Sequence, residues 1–204
     1  MSRTWGLARP ARIVASSLPE NIGKTVITSD WLPLSDTPAV NFLRIGPLWR
    51  GRDLADGSPV TPAQPLTGDA LSFIPLARGE AHLGNQWLFL ASLNPDYFLN
   101  HFSRHVDTAL SSVEVIDWDG RLLISSREDA AIGSLHATGP ELSRLRGEEI
   151  GSLADDREHG QAVMTAFRAS RSYPLFVMVH VDREAALRQW AADTRQTLTM
   201  IGLG

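Results

Sequence analysis

Two stretches decide how this chain folds. Thr4 to Ser17 reads TWGLARPARIVASS, and Val113 to Ser126 reads VEVIDWDGRLLISS. They align without a gap, 109 positions apart, and each runs on to an Ile-Gly pair, Ile22-Gly23 and Ile132-Gly133. Self-similarity at a fixed offset marks a duplicated structural unit. Each copy predicts two short strands around a tight turn. Asp117-Trp118-Asp119-Gly120 is one turn, since Asp-Gly between alternating apolar residues suits the backbone of a hairpin. Arg9-Pro10-Ala11 is expected to be the other.

A second pair of segments repeats further along. Trp87 to Leu93 (WLFLASL) is a β-rich run that leads into Asn94-Pro95-Asp96, the order of cap, proline and acid that starts helices. Tyr97, Phe98, His101, Phe102 and His105 follow at helical spacing. Leu175 to Val181 (LFVMVHV) is the matching strand, with Asp182 as cap and Ala185, Ala186, Leu187 and Trp190 continuing as a helix. Each half therefore reads as hairpin, Ser-Ser, Ile-Gly, variable middle, closing strands, helix. Sequential antiparallel strands with one face open to helices or ligand make an α+β fold. The expected layout is a first lobe over 1–93, a bridging helix over 94–108, a second lobe over 109–181 and a terminal helix over 182–204.

The middles of the two halves differ. Between Trp31 and Gly68 stand Pro33, Pro38, Pro47, Pro59, Pro62 and Pro65, interleaved with Arg44, Arg50 and Arg52. Stretches of that length without structure of their own in a compact domain are usually functional or disordered. Trp31, Phe42, Leu43, Ile45 and Trp49 predict that this one is ordered and packed. The counterpart, about 133–161, is acidic (Glu141, Glu148, Glu149, Asp155, Asp156, Glu158), and a short helix is expected at Pro140–Arg146.

Composition bounds the function. The chain has 204 residues, 43% of them hydrophobic and 21% charged, as in ordinary globular domains. The net charge of −4 and the pI near 5.8 argue against a nucleic-acid binder. Residues 1–105 carry 9 basic and 8 acidic side chains, the rest 10 and 15, so an anion belongs with the first half. Cysteine is absent, which excludes disulfides, thiolate metal sites and thiol catalysis. No phosphate-cradling loop and no Gly-x-Ser-x-Gly elbow occurs, so no enzyme class is indicated. Met1 to Trp5 lacks the apolar core of a signal peptide. The apolar tail Thr199 to Gly204 follows a helical run without a stop signal, which fits either a frayed terminus or, as the sharper expectation, a piece of a longer protein that ends where a membrane helix begins.

The tandem Val-x-Val-x-Asp-x-x-Gly-x-Leu-like hairpins, each followed by Ser and Ile-Gly, resemble the double Cache (PAS-like) extracytoplasmic sensor domains. Ser72-Phe73-Ile74-Pro75-Leu76-Ala77-Arg78, then Trp87-Leu88 and Asn94-Pro95-Asp96-Tyr97-Phe98, are similar to the periplasmic sensor region of bacterial cyclic-di-GMP proteins with GGDEF or EAL output domains. The resemblance implies two tandem PAS-like lobes, each an antiparallel sheet flanked by helices and loops. It implies the periplasmic part of an inner-membrane signalling protein, with any catalysis in a part outside this sequence and a homodimer left open. It also implies a small ligand in the membrane-distal first lobe and no cofactor. There Arg44, Arg50, Arg52, Asp53 and Arg78 offer charge, the arginine forks suiting an anionic carboxylate or phosphate, and Trp31, Trp49 and Phe73 offer apolar walls. The opposing reading makes these arginines bridges to nearby acids and carbonyls and the aromatics core. The Tyr…Arg-x-Trp-Tyr…Tyr-x-Asp motif of the amino-acid-binding branch is absent, since the tyrosines are Tyr97 and Tyr173 alone. A ligand-free structural or protein-interaction module, as in a histidine kinase or chemoreceptor, is the alternative function. His101 and His105, four apart, are expected to be surface or lobe-bridging histidines rather than metal ligands, and no metal-binding residue is named. The helix from Asp182 is expected to serve as an output stalk.

Overall fold

The computed structural model describes residues 10–27, 43–67, 70–82, 85–102, 104–107, 110–158 and 161–202. Thr4 to Arg9, Trp31 and Phe42 lie outside them. The chain divides into two compact units, Met1–Pro95 with Ala131–Ser134, and Asp96–Ala130 with Leu135–Gly204.

In the first unit, β1 (Pro10–Arg12) pairs antiparallel with β2 (Thr25–Ile27). Pro10 and Ala11 are thus strand residues and not the tip of a turn, contrary to the sequence expectation. Proline is tolerated at the first position of a strand, where its missing N–H interrupts no ladder. The proline-rich middle is packed where it is described. It contributes β3 (Leu43–Ile45), β4 (Trp49–Arg50) and β5 (Ser58–Pro59), and it buries Leu48, Trp49, Leu54, Val60 and Leu66. β3 and β4 both pair with the long β6 (Ser72–His82), which pairs on its other side with β7 (Asn85–Leu93). Val26, Trp49, Leu54 and Phe73 form the core, with Ile13 and Leu90 against it.

The repeat is visible in backbone detail. Ser16 Oγ accepts a hydrogen bond from the Leu18 amide, and Ser125 Oγ accepts one from the Arg127 amide. Gly23 and Gly133 then both take a left-handed backbone, φ +88° and +90°. Ile132 pairs with Leu66, which is why Ala131–Ser134 belongs to the first unit.

The second unit opens with α1 (Asp96–Phe102), seven residues long and about half the expected 94–108. None of its residues is buried, so no apolar face extends it past the length at which helices are marginal alone. β8 (Ser111–Asp117) and β9 (Leu122–Ser125) form the expected hairpin. Asp117 Oδ1 accepts from the amides of Asp119 and Arg121, and Gly120 supplies φ +80°. The tip folds back: the Trp118 ring stacks on Phe176 at 5.0 Å, and its carbonyl accepts from Arg146. α2 (Gly139–Gly147) covers the predicted short helix. β10 (Ile150–Glu158), β11 (Gln161–Ala169) and β12 (Leu175–Asp182) follow as an antiparallel meander. Asp155, Asp156 and Glu158 thus lie on a strand, not in the acidic loop expected from composition. β12 returns to pair with β8, giving the order β10-β11-β12-β8-β9. Phe176, Met178, Ile116, Leu122, Leu123 and Leu145 are fully buried here. Each such side chain contributes about 1.5–3 kcal/mol of hydrophobic stabilisation. Asp182 Oδ1 caps the Ala185 amide at 2.9 Å and starts α3 (Arg183–Gly202). Among the described residues, no helix is long and apolar enough to cross a membrane.

Candidate functional site

The first-unit residues named from sequence do not converge. Directly opposed residues in antiparallel strands share a face. Trp49 opposes Phe73 and Arg44 opposes Ala77, so Arg44 lies on the face that carries the aromatic core. Arg50 opposes Ser72 and Leu43 opposes Arg78, so Arg50 and Arg78 belong to the other face. Six residues of β6 separate their positions, roughly 20 Å at the rise of a strand. That is beyond the span of one small ligand held by both. Arg44, Arg50 and Arg78 are all exposed.

Arg52 and Asp53 have partners within the chain. Arg52 lies 3.7 Å from Asp56 and 3.9 Å from Glu20, both exposed pairs. Asp53 Oδ2 accepts from the Asn21 side-chain amide at 2.7 Å, and its Oδ1 accepts from the Ala55 amide at 2.8 Å. Partial burial opposes ionisation of Asp53, but the Asn21 amide and the Ala55 and Asp56 backbone amides hold its carboxyl below the ordinary range. Trp49 and Phe73 pack ring on ring at 6.0 Å in the core. Trp49 Nε1 is buried with no hydrogen-bond partner among the described residues.

His101 and His105 are exposed, ring to ring at 4.6 Å, and His105 Nδ1 sits 2.8 Å from the His101 carbonyl. Among the described residues no third ligand joins them.

A different cluster lies in the second unit, and none of its members is among the residues singled out from sequence. Glu114 on β8, His180 on β12 and His136 in the segment before α2 bring their ligand atoms within 4.8 Å of one another. Glu114 Oε2 is 2.7 Å from His136 Nε2 and 3.3 Å from His180 Nε2. The register explains the meeting. Glu114 opposes Met178 and Ser125, and His180 opposes Thr165 and Ser112, all on one face of the sheet. His136 is delivered by the hairpin turn, whose Gly120 carbonyl accepts the His136 amide at 2.8 Å. Glu114 and His180 are 1% and 4% exposed, and His136 is half-buried. Burial pushes the Glu114 carboxyl up, but the two imidazoles outweigh it and hold the group well below the ordinary carboxylate range. The available signal was parity: Glu114 in Val-Glu-Val-Ile and His180 in Val-His-Val fall in step with the buried Ile116, Phe176 and Met178.

No family model matches the chain, and no curated protein does. Among solved structures the chain is similar to the extracellular domain of rpHK1S-Z16, a protein classed with the histidine kinases. The TM-score is 0.53 at 21% identity, over 76% of this chain and 58% of that one. It also aligns with the ligand binding domain of the amino acid chemoreceptor PctB of Pseudomonas aeruginosa PAO1. In complex with L-Arg the TM-score is 0.43 at 11% identity, covering 78% of this chain and 64% of that one. In complex with L-Gln it is 0.36 at 11%, covering 79% of each. The chain thus spans less than two thirds of the first two. The first likeness shows the fold alone: two antiparallel sheets with a few helices, an α+β arrangement.

Proposed function

We propose that this chain is the extracytoplasmic ligand-sensing domain of a membrane-anchored bacterial signalling protein, and that it is not itself an enzyme. The observation that carries the reading is the fold held in common with the extracellular domain of rpHK1S-Z16 over 76% of this chain. The ligand is a small anion on the apolar face of the first unit. Arg44, on the face that also carries Trp49 and Phe73, supplies the charge. Arg50 and Arg78, on the opposite face, take no part in that contact. The output is a cyclic-di-GMP cyclase or phosphodiesterase outside this sequence, a reading that rests on the sequence resemblance alone. α3, about 30 Å long at 1.5 Å per residue, passes the shift of the sheet toward it.

A thermal-shift screen of organic acids and phosphates tests this. A binder at 100 times its Kd adds about 2.7 kcal/mol of stability. Arg44→Ala should abolish the shift and Arg78→Ala should keep it. No shift from any member of the screen, or a shift that survives Arg44→Ala, overturns the assignment. A second reading, a ligand-free interaction module, is favoured by Leu187 and Trp190, one turn apart on α3 and 54% and 66% exposed. It predicts self-association that Trp190→Ala removes, read by sedimentation, with no hit in the screen.

A further inference from the structure

We infer that Glu114, His136 and His180 form a binding site for a divalent transition metal ion of the zinc class. The inference stands on the second unit alone and does not rest on the ligand proposed for the first.

Three observations point to it. First, the donor set is two imidazole nitrogens and one carboxylate oxygen, a combination that suits Zn²⁺ and its neighbours and not the oxygen-seeking Ca²⁺ or Mg²⁺. Second, the spacing is right for a shared ion. Bonds of about 2.0–2.1 Å in a tetrahedral shell put ligand atoms about 3.3 Å apart. The contact of Glu114 Oε2 with His180 Nε2, 3.3 Å, sits at that value, and the 2.7 Å contact with His136 Nε2 would open by about 0.6 Å around an ion, a move that a half-buried side chain allows. Yet Glu114 Oε2 and His180 Nε2 are buried and neither has an aligned hydrogen-bond partner among the described residues. All three donor atoms face one point, with Glu114 Oε2 in ion-pair range of both ring nitrogens, and an ion bound there would take the place of those contacts. A buried carboxylate needs opposite charge beside it, and a metal ion held by all three side chains supplies it.

Third, the groups behind the ligands already fix them. His180 Nδ1 lies 2.8 Å from Thr165 Oγ1, which orients the ring so that Nε2 faces Glu114. Glu114 Oε1 accepts from Ser125 Oγ at 3.0 Å, which leaves Oε2 for the site. The backbone of His136 is tied to the Gly120 carbonyl. Metal-bound histidines are held by second partners of this kind. His136 is the partly exposed member, so an ion would enter on its side. Three protein ligands leave the fourth position of a tetrahedral ion to solvent.

The test uses the tag-free chain, stripped with EDTA and titrated calorimetrically with zinc chloride. One ion per chain should bind, the melting temperature should rise, and Co²⁺ should give the visible bands of a tetrahedral ion. Ca²⁺ and Mg²⁺ should do none of this. His136→Ala changes a partly exposed loop residue and should fold. It should weaken zinc binding beyond the 10–100-fold typical of changes behind the ligands. Glu114→Gln, close in shape, should do the same. The double variant His101→Ala/His105→Ala should bind as the parent does. The assignment is overturned if the folded parent shows no zinc heat at micromolar concentration, if His136→Ala and Glu114→Gln both bind zinc undiminished, or if the His101/His105 variant loses it.

Discussion

The two units place opposite kinds of residue at equivalent depth. At the centre of the first sheet, β4 and β6 bring Trp49 against Phe73, ring on ring. At the centre of the second, β8 and β12 bring Glu114 beside Met178 and close to His180, a carboxylate against an imidazole. An apolar contact stabilises by area and packing, and it tolerates no gap. A buried charged cluster is weak support for stability, since apolar side chains of similar volume often do as well or better. The first centre therefore reads as what holds its unit together. The second reads as something its unit accommodates for a use.

That contrast can be broken most sharply at Phe73. The ring is 2% exposed, and Phe73→Ala removes it from a core of four buried side chains. The expected loss is about 3–5 kcal/mol. Hydrogen exchange should show β6 and β7 losing protection while β8 and β12 keep theirs. Uniform loss across both sheets would show that the two centres are not separable.

Gly120 tests the second centre through its backbone. A Cβ there would collide with the Ala137 carbonyl, and φ +80° disfavours any side chain. Gly120→Ala should cost about 3 kcal/mol, the sum of left-handed strain and displacement of the 136–137 segment. Because Gly120 also positions His136, zinc affinity in the same titration should fall with the melting temperature. A stable variant that binds zinc unchanged would sever the turn from the cluster.

Much of this was legible in the chain. Asp-Gly gave the β8–β9 hairpin, Asp182 the cap of α3 and Pro140 the start of α2, while the serines recur with the same bond to the amide two residues on and the glycines with the same left-handed backbone. The failures have physical causes. Arg9-Pro10-Ala11 looked like a turn because proline marks turns and strand starts alike. The charged run Asp155 to Glu158 looked like a loop, yet its backbone belongs to β10, at the end of the order β10-β11-β12-β8-β9. The arginines looked like one group because the side a strand residue faces depends on register, which spacing along a loop does not encode. Glu114, His136 and His180 are joined only by long-range pairing and by a turn carbonyl, so no local motif announces them.

Thr165 distinguishes a built site from an accidental one. The residue is 1% exposed, and its hydroxyl meets His180 Nδ1 at 2.8 Å. Thr165→Val keeps the shape and strands a buried ring nitrogen, at an expected cost of about 1–3 kcal/mol. In the metal reading it should also weaken zinc binding by about 10–100-fold, although Thr165 touches no ion. A loss of stability with zinc affinity intact would make the hydroxyl a packing partner alone.

The smallest effect sharpens the comparison at the ends of the sheets. β7 and β12 are the last strands of their sheets in chain order, and each is followed by a helix. Only the second of these runs long, and Asp182 sits where it starts. Its carboxylate accepts the third amide of α3, which would otherwise face solvent or go unpaired. Asp182→Ala should cost about 1 kcal/mol. Asp182→Asn should recover most of that, because asparagine caps nearly as well. Since Asp182 is two residues from His180, the same pair of variants asks whether the helix start and the cluster are coupled. If both variants bind zinc as the parent does while only the alanine loses helicity by circular dichroism, the cap acts on the helix alone. A parallel loss of zinc affinity in the alanine variant would instead mean that fraying at the head of α3 loosens the end of β12, and that the cluster and the helix move as one.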